Sequence, residues 1–549
     1  MFSLFANMFA TKNLGENGTV QHGWGVEPGD YTEENEFNSL ITQLFFQLVR
    51  TNNHEKLEDI AKTLISRDKL TKNQESILVR LTLQTRDIVD GKGEYHLAYM
   101  LVWLWSKLKP REYAEKIFKR FVLPTEVSPH PMGSWKDVKF ICHYLSKKEN
   151  RDYWLIDYII ELAVNTAMEE YKSLETNPSD LSKISLVGKW MPREKKSCKF
   201  GWIHKKMAKI AYPDKHDNLR LWNKVITTLS SKTNTTEIKM AGKAWSEINF
   251  NNVPSRCMML NANNFNNSNN KEDKDRIECA ENYKKHKEKA LKKDGNTKIH
   301  GKRLNVGELV ERALVGDTDK EMVNLQWQTH KENNSGLENL CIIPCCDVSG
   351  SMYGNPLYNA VGLSIRTSEI CHPAFRDKIL TFSEMPSWID LSSCETFTEK
   401  VEKITHADWG MNTDFKALCN KVLSDLVASE VDPEQTKEII LAVYSDMQMD
   451  QASDIPLETT FEYVKQRFTK AGIDSKYKKP YACPHILFWN LRETKGFPST
   501  TFEENVTFLS GYSSSLLNIF ETKGIDELRK HSAYSMLVEL LKNKRYDFE

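Results

Sequence analysis

Three oxygen-bearing side chains at alternate positions, Asp347, Ser349 and Ser351, directly follow the apolar run Leu340-Cys-Ile-Ile-Pro-Cys-Cys346. In an extended segment alternate residues share one side, so all three can face a single ion. One carboxylate with two hydroxyls is a donor set for a hard divalent cation, Mg²⁺ or another such as Mn²⁺, which prefers oxygen ligands and keeps several waters. Further ligands are expected at later strand ends, and two candidates follow in order. Thr413 closes the loop Asp408-Trp-Gly-Met-Asn-Thr413-Asp414 ahead of a helical pattern, and Asp446 ends the buried run Ile439-Ile-Leu-Ala-Val-Tyr-Ser445. The plainer alternative is that both aspartates only cap strand ends. Hydrolysis at a metal needs a base or a second metal near the activated water. Nothing in the sequence marks either, with His406 and His485 read as incidental, so the expectation is a protein that is not an enzyme. Cys341, Cys345 and Cys346 are poor candidates for a soft-metal site, because a strand sends neighbouring residues to opposite faces.

These residues need a sheet to hold them. After residue 337, strand-like runs at about 340–347, 378–383, 386–391, 438–446, 485–491 and 505–510 alternate with helical patterns at 357–370, 415–429, 458–471 and 513–523. Such alternation predicts an α/β doubly wound domain over 338–525, its mostly parallel sheet covered on both faces. Ligands of open parallel sheets sit beyond the carboxyl ends of the strands at a switch point, which is where Asp347 falls. The segment 526–549 reads as a C-terminal helix, centred on about 525–545, that can pack on either part of the chain.

The first half has a different texture. Residues 1–35 are a polar, Gly-containing lead-in behind an apolar opening, 1–10, which lacks the basic flank of a secretory signal and is expected to be buried. From Phe37 apolar residues recur at three- and four-residue steps, predicting helices near 55–66, 74–88, 95–108, 111–122, 134–147 and 152–172 with short breakers between them. Residues 36–330 are therefore expected to form an all-α helical-repeat domain, although no clean repeat supports a regular armadillo or tetratricopeptide array. Within it, the Asn tract 262–270 reads as a loop, 271–303 as a Lys-rich charge run that is partly helical, and 261–303 as a whole as a flexible Asn- and Lys-rich insertion.

The net charge of the 549 residues is zero, but the balance is not local. From Lys183 to Arg303 there are 28 Lys/Arg against 12 Asp/Glu, whereas 331–549 has 23 against 32. The basic stretch interleaves tryptophan and phenylalanine with Lys189, Arg193, Lys195, Lys196, Lys199, Lys205 and Lys206. Cations neutralise phosphates with counterion release, and aromatic rings stack on unpaired bases. These seven are thus the candidate contacts to RNA. The competing reading makes Trp135, Trp190 and Trp202 core residues and the lysines a solvated face. Eleven cysteines, an odd number without Cys-x-x-Cys pairs, point to a reduced intracellular, cytoplasmic protein. No apolar run approaches the roughly 18–20 residues of a membrane span, so no membrane partner is expected.

The set Asp347, Ser349, Ser351, Thr413 and Asp446 resembles the metal-ion-dependent adhesion site of von Willebrand factor A domains, whose pattern is Asp-x-Ser-x-Ser, Thr and Asp. The resemblance covers about 340–525 and implies a bound Mg²⁺ with an open position that a partner's acidic side chain can fill. In the helical half, Thr85-Arg86-Asp-Ile-Val-Asp-Gly91-Lys-Gly93-Glu94 and Gly133-Ser-Trp135-Lys-Asp137 resemble two turns of Ro/TROVE ribonucleoproteins. That family joins a helical domain to an A domain. The chain is similar in more detail to an uncharacterised branch of plant, fungal and giant-virus proteins with the same plan, through Val187-Gly-Lys189-Trp190-Met-Pro192 and Trp245-Ser-Glu-Ile-Asn-Phe250-Asn-Asn-Val-Pro254-Ser255. The Ro resemblance implies a helical ring binding structured or misfolded small RNA, with the metal site as a docking point. The viral branch implies a virion or host-cytoplasm setting if the source is viral. The expected function is RNA binding with metal-dependent partner docking, and the alternative is a metal-dependent protein scaffold without nucleic acid.

Overall fold

The apolar run before Asp347 becomes the central strand of a six-stranded sheet in a computed structural model of the chain. The structure describes all residues except 1–11, 15–19, 51–53, 195–198, 270–271, 317, 332–339, 408–412, 450–456, 495, 521–531 and 549. The apolar opening 1–10, Lys195, Lys196 and most of the loop before Thr413 therefore lie outside the described residues. A two-stranded antiparallel sheet, β1 (Lys12–Leu14) and β2 (Val20–His22), comes first. The sheet then comprises β3 (Cys341–Asp347), β4 (Lys378–Phe382), β5 (Trp388–Asp390), β6 (Ile439–Ser445), β7 (His485–Asn490) and β8 (Val506–Ser510). Its order is β5-β4-β3-β6-β7-β8, with every neighbouring pair parallel except β4 and β5.

From β3 the chain winds to one side through β4 and β5, then crosses over to β6, β7 and β8 on the other. The switch point lies between β3 and β6. Ile343 and Cys345 enter a core with Phe415, Leu418 and Val422 of the helix Phe415–Ala428. The thiol of Cys346 meets Ser364 of the helix Asn355–Ile370 instead. The sheet is thus covered on both faces, which explains runs without polar alternation. All ten described cysteines are free thiols.

Helix Asn355–Ile370 is covered in turn by helix Val306–Leu314. Here two glycines set the approach. A Cβ on Gly307 would stand 2.4 Å from Asn359 Nδ2, and one on Gly362 would stand 2.8 Å from Val306 Cβ. Helix Glu33–Gln47 lies along β8, with Phe46 stacked on Phe508 at 4.5 Å between ring centroids and Ser510 Oγ donating to the Phe45 carbonyl. The lead-in also joins this unit: His22 and Phe497 exchange backbone hydrogen bonds of 3.1 and 2.9 Å.

The chain divides into two compact units, one of residues 1–64 and 299–543, the other of 65–298 and 544–549. This corrects the expected boundaries, since 36–64 and 299–330 belong with the sheet and not with the helical unit. The molecule is nevertheless multidomain, with a helical N-terminal region and a mixed α/β sheet of six strands. In the helical unit, Lys72–Arg86, Tyr95–Leu108, Arg111–Val122, Lys136–Lys148 and Trp154–Thr176 follow the expected spans closely. A capping box of Thr71 and Gln74 starts the first of them.

Within the expected insertion the charge run is partly helical, and helical structure also reaches the start of the Asn tract. Helix Ser255–Phe265 runs into the Asn tract and Lys274–Leu291 follows it. Phe250, Phe265 and Tyr283 form an aromatic cluster with centroids 5.3–5.9 Å apart, and Phe265 and Tyr283 are fully buried. Burial of this phenylalanine among the asparagines contributes about 1.5–3 kcal/mol to seating the segment. The last described helix is Ala533–Leu541, which packs on Glu33–Gln47 and β8, while 526–531 and 549 of the expected span lie outside the described residues. Among the described residues, no helix is long and apolar enough to cross a membrane.

Candidate metal centre and basic aromatic surface

Both aspartates stand at the switch point, Asp347 as the last residue of β3 and Asp446 just after β6. Both are fully buried. Asp347 Oδ1 accepts from the Ser349 amide at 2.9 Å and Oδ2 accepts from the Ser445 hydroxyl at 2.5 Å. The Ser349 and Ser351 hydroxyls are 3.1 Å apart, Ser351 being open to solvent. Asp446 Oδ1 accepts from the Gln448 amide at 3.1 Å, and the Gln448 carbonyl accepts the Thr413 hydroxyl at 2.8 Å. Arg492 Nη1 reaches Asp446 Oδ2 at 3.3 Å and the Ser351 carbonyl at 3.5 Å. The structure therefore gathers all five sequence-derived residues into one connected network.

The backbone that does this is strained. Met447, fully buried between Asp446 and Gln448, has φ +62°, a left-handed conformation that is rare and costly for a non-glycine residue. The bend turns the Gln448 amide back onto the Asp446 carboxylate and the Met447 amide onto Ser445 Oγ at 2.9 Å. Burial pushes the Asp347 carboxyl up to about 7, the nearby Asp446 charge pushes it further the same way, and the hydrogen bonds from Ser445 and Ser349 oppose them. Two buried carboxylates, one of them paired with Arg492, and the hydroxyls beside them form an oxygen-only donor set, so the residues fit a hard divalent cation. Asp347, Ser349, Ser351, Thr413 and Asp446 would hold it.

Sequence reasoning missed Arg492 and Ser445. Arg492 lies two residues beyond β7, at the same carboxyl edge of the sheet, so the rule that singled out Asp347 also reaches it. A separate cavity of about 680 Å³ opens at the opposite, amino-terminal ends of β3 and β6, beside Cys341, Ile439 and Trp388. It does not mark this site.

In the helical unit the candidate RNA contacts separate. Lys206 is committed to Asp157 at 2.5 Å and Asp152 at 3.3 Å, and Lys189 pairs with Glu237 at 2.8 Å. Arg193 approaches the Ile226 carbonyl at 3.4 Å. Lys205 and Lys199 are exposed. Lys199 belongs to a cluster that the sequence did not reveal. Lys139 Nζ lies 5.2 Å from the Trp190 ring centroid, 5.7 Å from Phe140 and 5.9 Å from Phe200. Lys136 lies 5.5 Å from both Phe140 and Trp190, and Lys199 lies 5.0 Å from Phe200. The three rings are half-buried. Burial, then Arg256, depress the Lys136 ammonium; burial, then Lys147, Lys199 and Arg151, depress His143. Positive charge is therefore concentrated here. Of the tryptophans, Trp135 is core, while Trp190 and Trp202 are half-buried at the surface.

The two turns that carry the helical resemblance meet in space. Arg86 grips Asp137 through both carboxylate oxygens at 2.8–3.1 Å, and Tyr99 donates to the same Asp137 at 2.5 Å. A Cβ on Gly133 would lie 2.2 Å from Asp137 Oδ2. This buried ion pair locks three helices and is a structural element.

Comparisons with known proteins cover both units. Residues 341–546 match a family model described as a domain of unknown function, DUF7788, and residues 154–334 match another, DUF2828. The chain is also similar to the uncharacterized protein L728 of Acanthamoeba polyphaga mimivirus, 27% identical over 511 residues, which is 90% of this chain and 83% of that protein.

Proposed function

We propose that the protein is a non-enzymatic RNA-binding protein of Ro/TROVE type. Its helical unit takes the RNA, and a von Willebrand A-like sheet unit carries a Mg²⁺ site for docking a partner. The observation that carries the RNA reading is the surface of Lys136, Lys139 and Lys199 around Phe140, Trp190 and Phe200. Half-buried rings flanked by ammonium groups suit unpaired bases next to phosphates, each stacked base contributing about 1–3 kcal/mol. Filter binding of a structured RNA with single-stranded ends, over a salt series, tests it. Lys136→Glu with Lys139→Glu is expected to weaken binding more than tenfold. The same change should flatten the log–log salt slope by about 0.7 for each single-strand phosphate that is no longer neutralised. Retention no better than that of a neutral control protein, or indifferent to salt, rules the reading out.

The network of Asp347 and Asp446 supports the docking half independently. When bound, the cation supplies a Lewis-acidic position for a partner's carboxylate. If the protein is instead a metal-dependent scaffold without nucleic acid, partner capture will survive nuclease treatment, require Mg²⁺ and vanish in Asp347→Ala.

A further inference from the structure

Residues 544–548 follow the last helix of the sheet unit but belong to the helical unit, where every one of the last four described side chains is read. The Arg545 guanidinium forks onto Asp87, with Nε at 3.0 Å from Oδ2 and Nη2 at 2.7 Å from Oδ1, and its Nη1 donates to Ser128 Oγ at 2.8 Å. Tyr546, 1% exposed, donates its hydroxyl to Asp87 Oδ2 at 3.1 Å. Asp547 pairs with Arg80 at 3.0 Å. Phe548 stacks on Tyr113 at 6.2 Å between centroids, and Tyr113 stacks on Trp105 at 5.3 Å. The main chain is read as well: the Arg120 guanidinium donates to the carbonyls of Arg545 and Asp547. A cavity of about 310 Å³ lies beside Phe548, between Lys72, Glu75, Tyr113 and Lys116.

This is the way proteins recognise short linear peptides, by side-chain pockets together with captured carbonyls. Here four consecutive side chains and two carbonyls are held by partners on other elements. Asp87 is itself fully buried. Without Arg545 it would be a buried carboxylate short of its guanidinium, a costly state that demands a cation of the same shape. Covalent continuity with the rest of the chain keeps the segment at high effective concentration.

We infer that the helical unit carries a linear-peptide groove specific for Arg-Tyr-Asp-Phe, filled in cis by residues 545–548 as a displaceable latch. This goes beyond the RNA and metal readings and does not depend on either. A fluorescent peptide with the sequence of 543–548, blocked at both ends, tests it on the full chain. It is expected to bind the Arg545→Ala chain, whose own segment is weakened, at least tenfold more tightly than wild type. The same peptide with alanine for its arginine is expected to lose at least tenfold.

A second measurement needs no variant. Millimolar peptide added to the wild-type chain should accelerate hydrogen exchange at the amides of 545–547 and leave helix Tyr95–Leu108 protected. The latch is overturned if saturating peptide leaves those amides unchanged, or if the Arg545→Ala chain folds and takes up no peptide. A concentration-dependent dimer of the wild-type chain that Arg545→Ala abolishes would overturn the arrangement in cis.

Discussion

Asp347 is a carboxylate held where a lone negative charge is unfavourable. It is buried beside a second buried carboxylate, with hydroxyls at hand and a guanidinium only on its neighbour. Asp347→Asn keeps the shape and removes one charge from the pair. Without metal, the variant should melt at or above the wild-type temperature, because like charges no longer crowd the site. A rise in melting temperature with Mg²⁺ is expected for the wild type and not for the variant, and calorimetry of the variant should show no saturable Mg²⁺ heat. Arg492 makes the opposite case. Its guanidinium shares Asp446 with any bound cation, and its side chain is 41% exposed. Arg492→Gln is expected to tighten Mg²⁺ binding about fivefold, the ratio that corresponds to roughly 1 kcal/mol for a half-exposed ion pair. Titration calorimetry reads the change, and unchanged or weaker binding would show that the arginine supports the site.

At the scale of elements, helices and strands were legible wherever periodicity and breakers coincided. Tyr95–Leu108 and Arg111–Val122 are bounded by Gly93 and Pro110, and fall where the apolar spacing predicts. Helix Phe397–Thr405 escaped notice although its start is written in Thr396-Phe-Thr-Glu399, a capping box. What seats it is remote. Phe397 stacks on Trp327 at 4.0 Å, and Lys400 bridges Glu369 at 2.8 Å and Asp377 at 2.6 Å. The packing of helix Val306–Leu314 on Asn355–Ile370 was equally hidden, since it depends on Gly307 and Gly362 facing each other's helices. Gly362→Val forces side-chain volume against the Val306 side chain and backbone. It should destabilise the sheet unit by about 1–3 kcal/mol, as overpacking does, read as a lower denaturant midpoint with Gly362→Ala falling between.

For the whole molecule, acid sensitivity follows from His330. Burial first, and then the Arg366 charge, hold its pKa down at about 3, and its ring lies parallel to Trp327 at 5.5 Å. The unfolded chain protonates this imidazole near 6.5, so between pH 6.5 and 3 the unfolded state binds more protons and stability falls as pH falls. The full contribution is present above pH 6.5. Wild type should lose about 2 kcal/mol more than His330→Gln between pH 7 and pH 5, at roughly 1.4 kcal/mol per pH unit below the unfolded pKa. Matched losses in denaturant titrations of the two proteins would disprove the assignment.

Spacing along the chain was enough to set out the strand that delivers Asp347, the strand end that carries Asp446, the helices of the first half and the basic bias of its second part. Those features are local, because spacing along a strand or helix decides which residues share a face. Packing in three dimensions was needed to place 36–64 and 299–330 with the sheet, to join Lys136, Lys139 and Phe140 to Trp190 and Lys199 on one surface, and to bring Arg545 to Asp87. Each of these joins residues tens to hundreds of positions apart. Burial and charge pairing select such partners in three dimensions, and no periodicity along the chain records them.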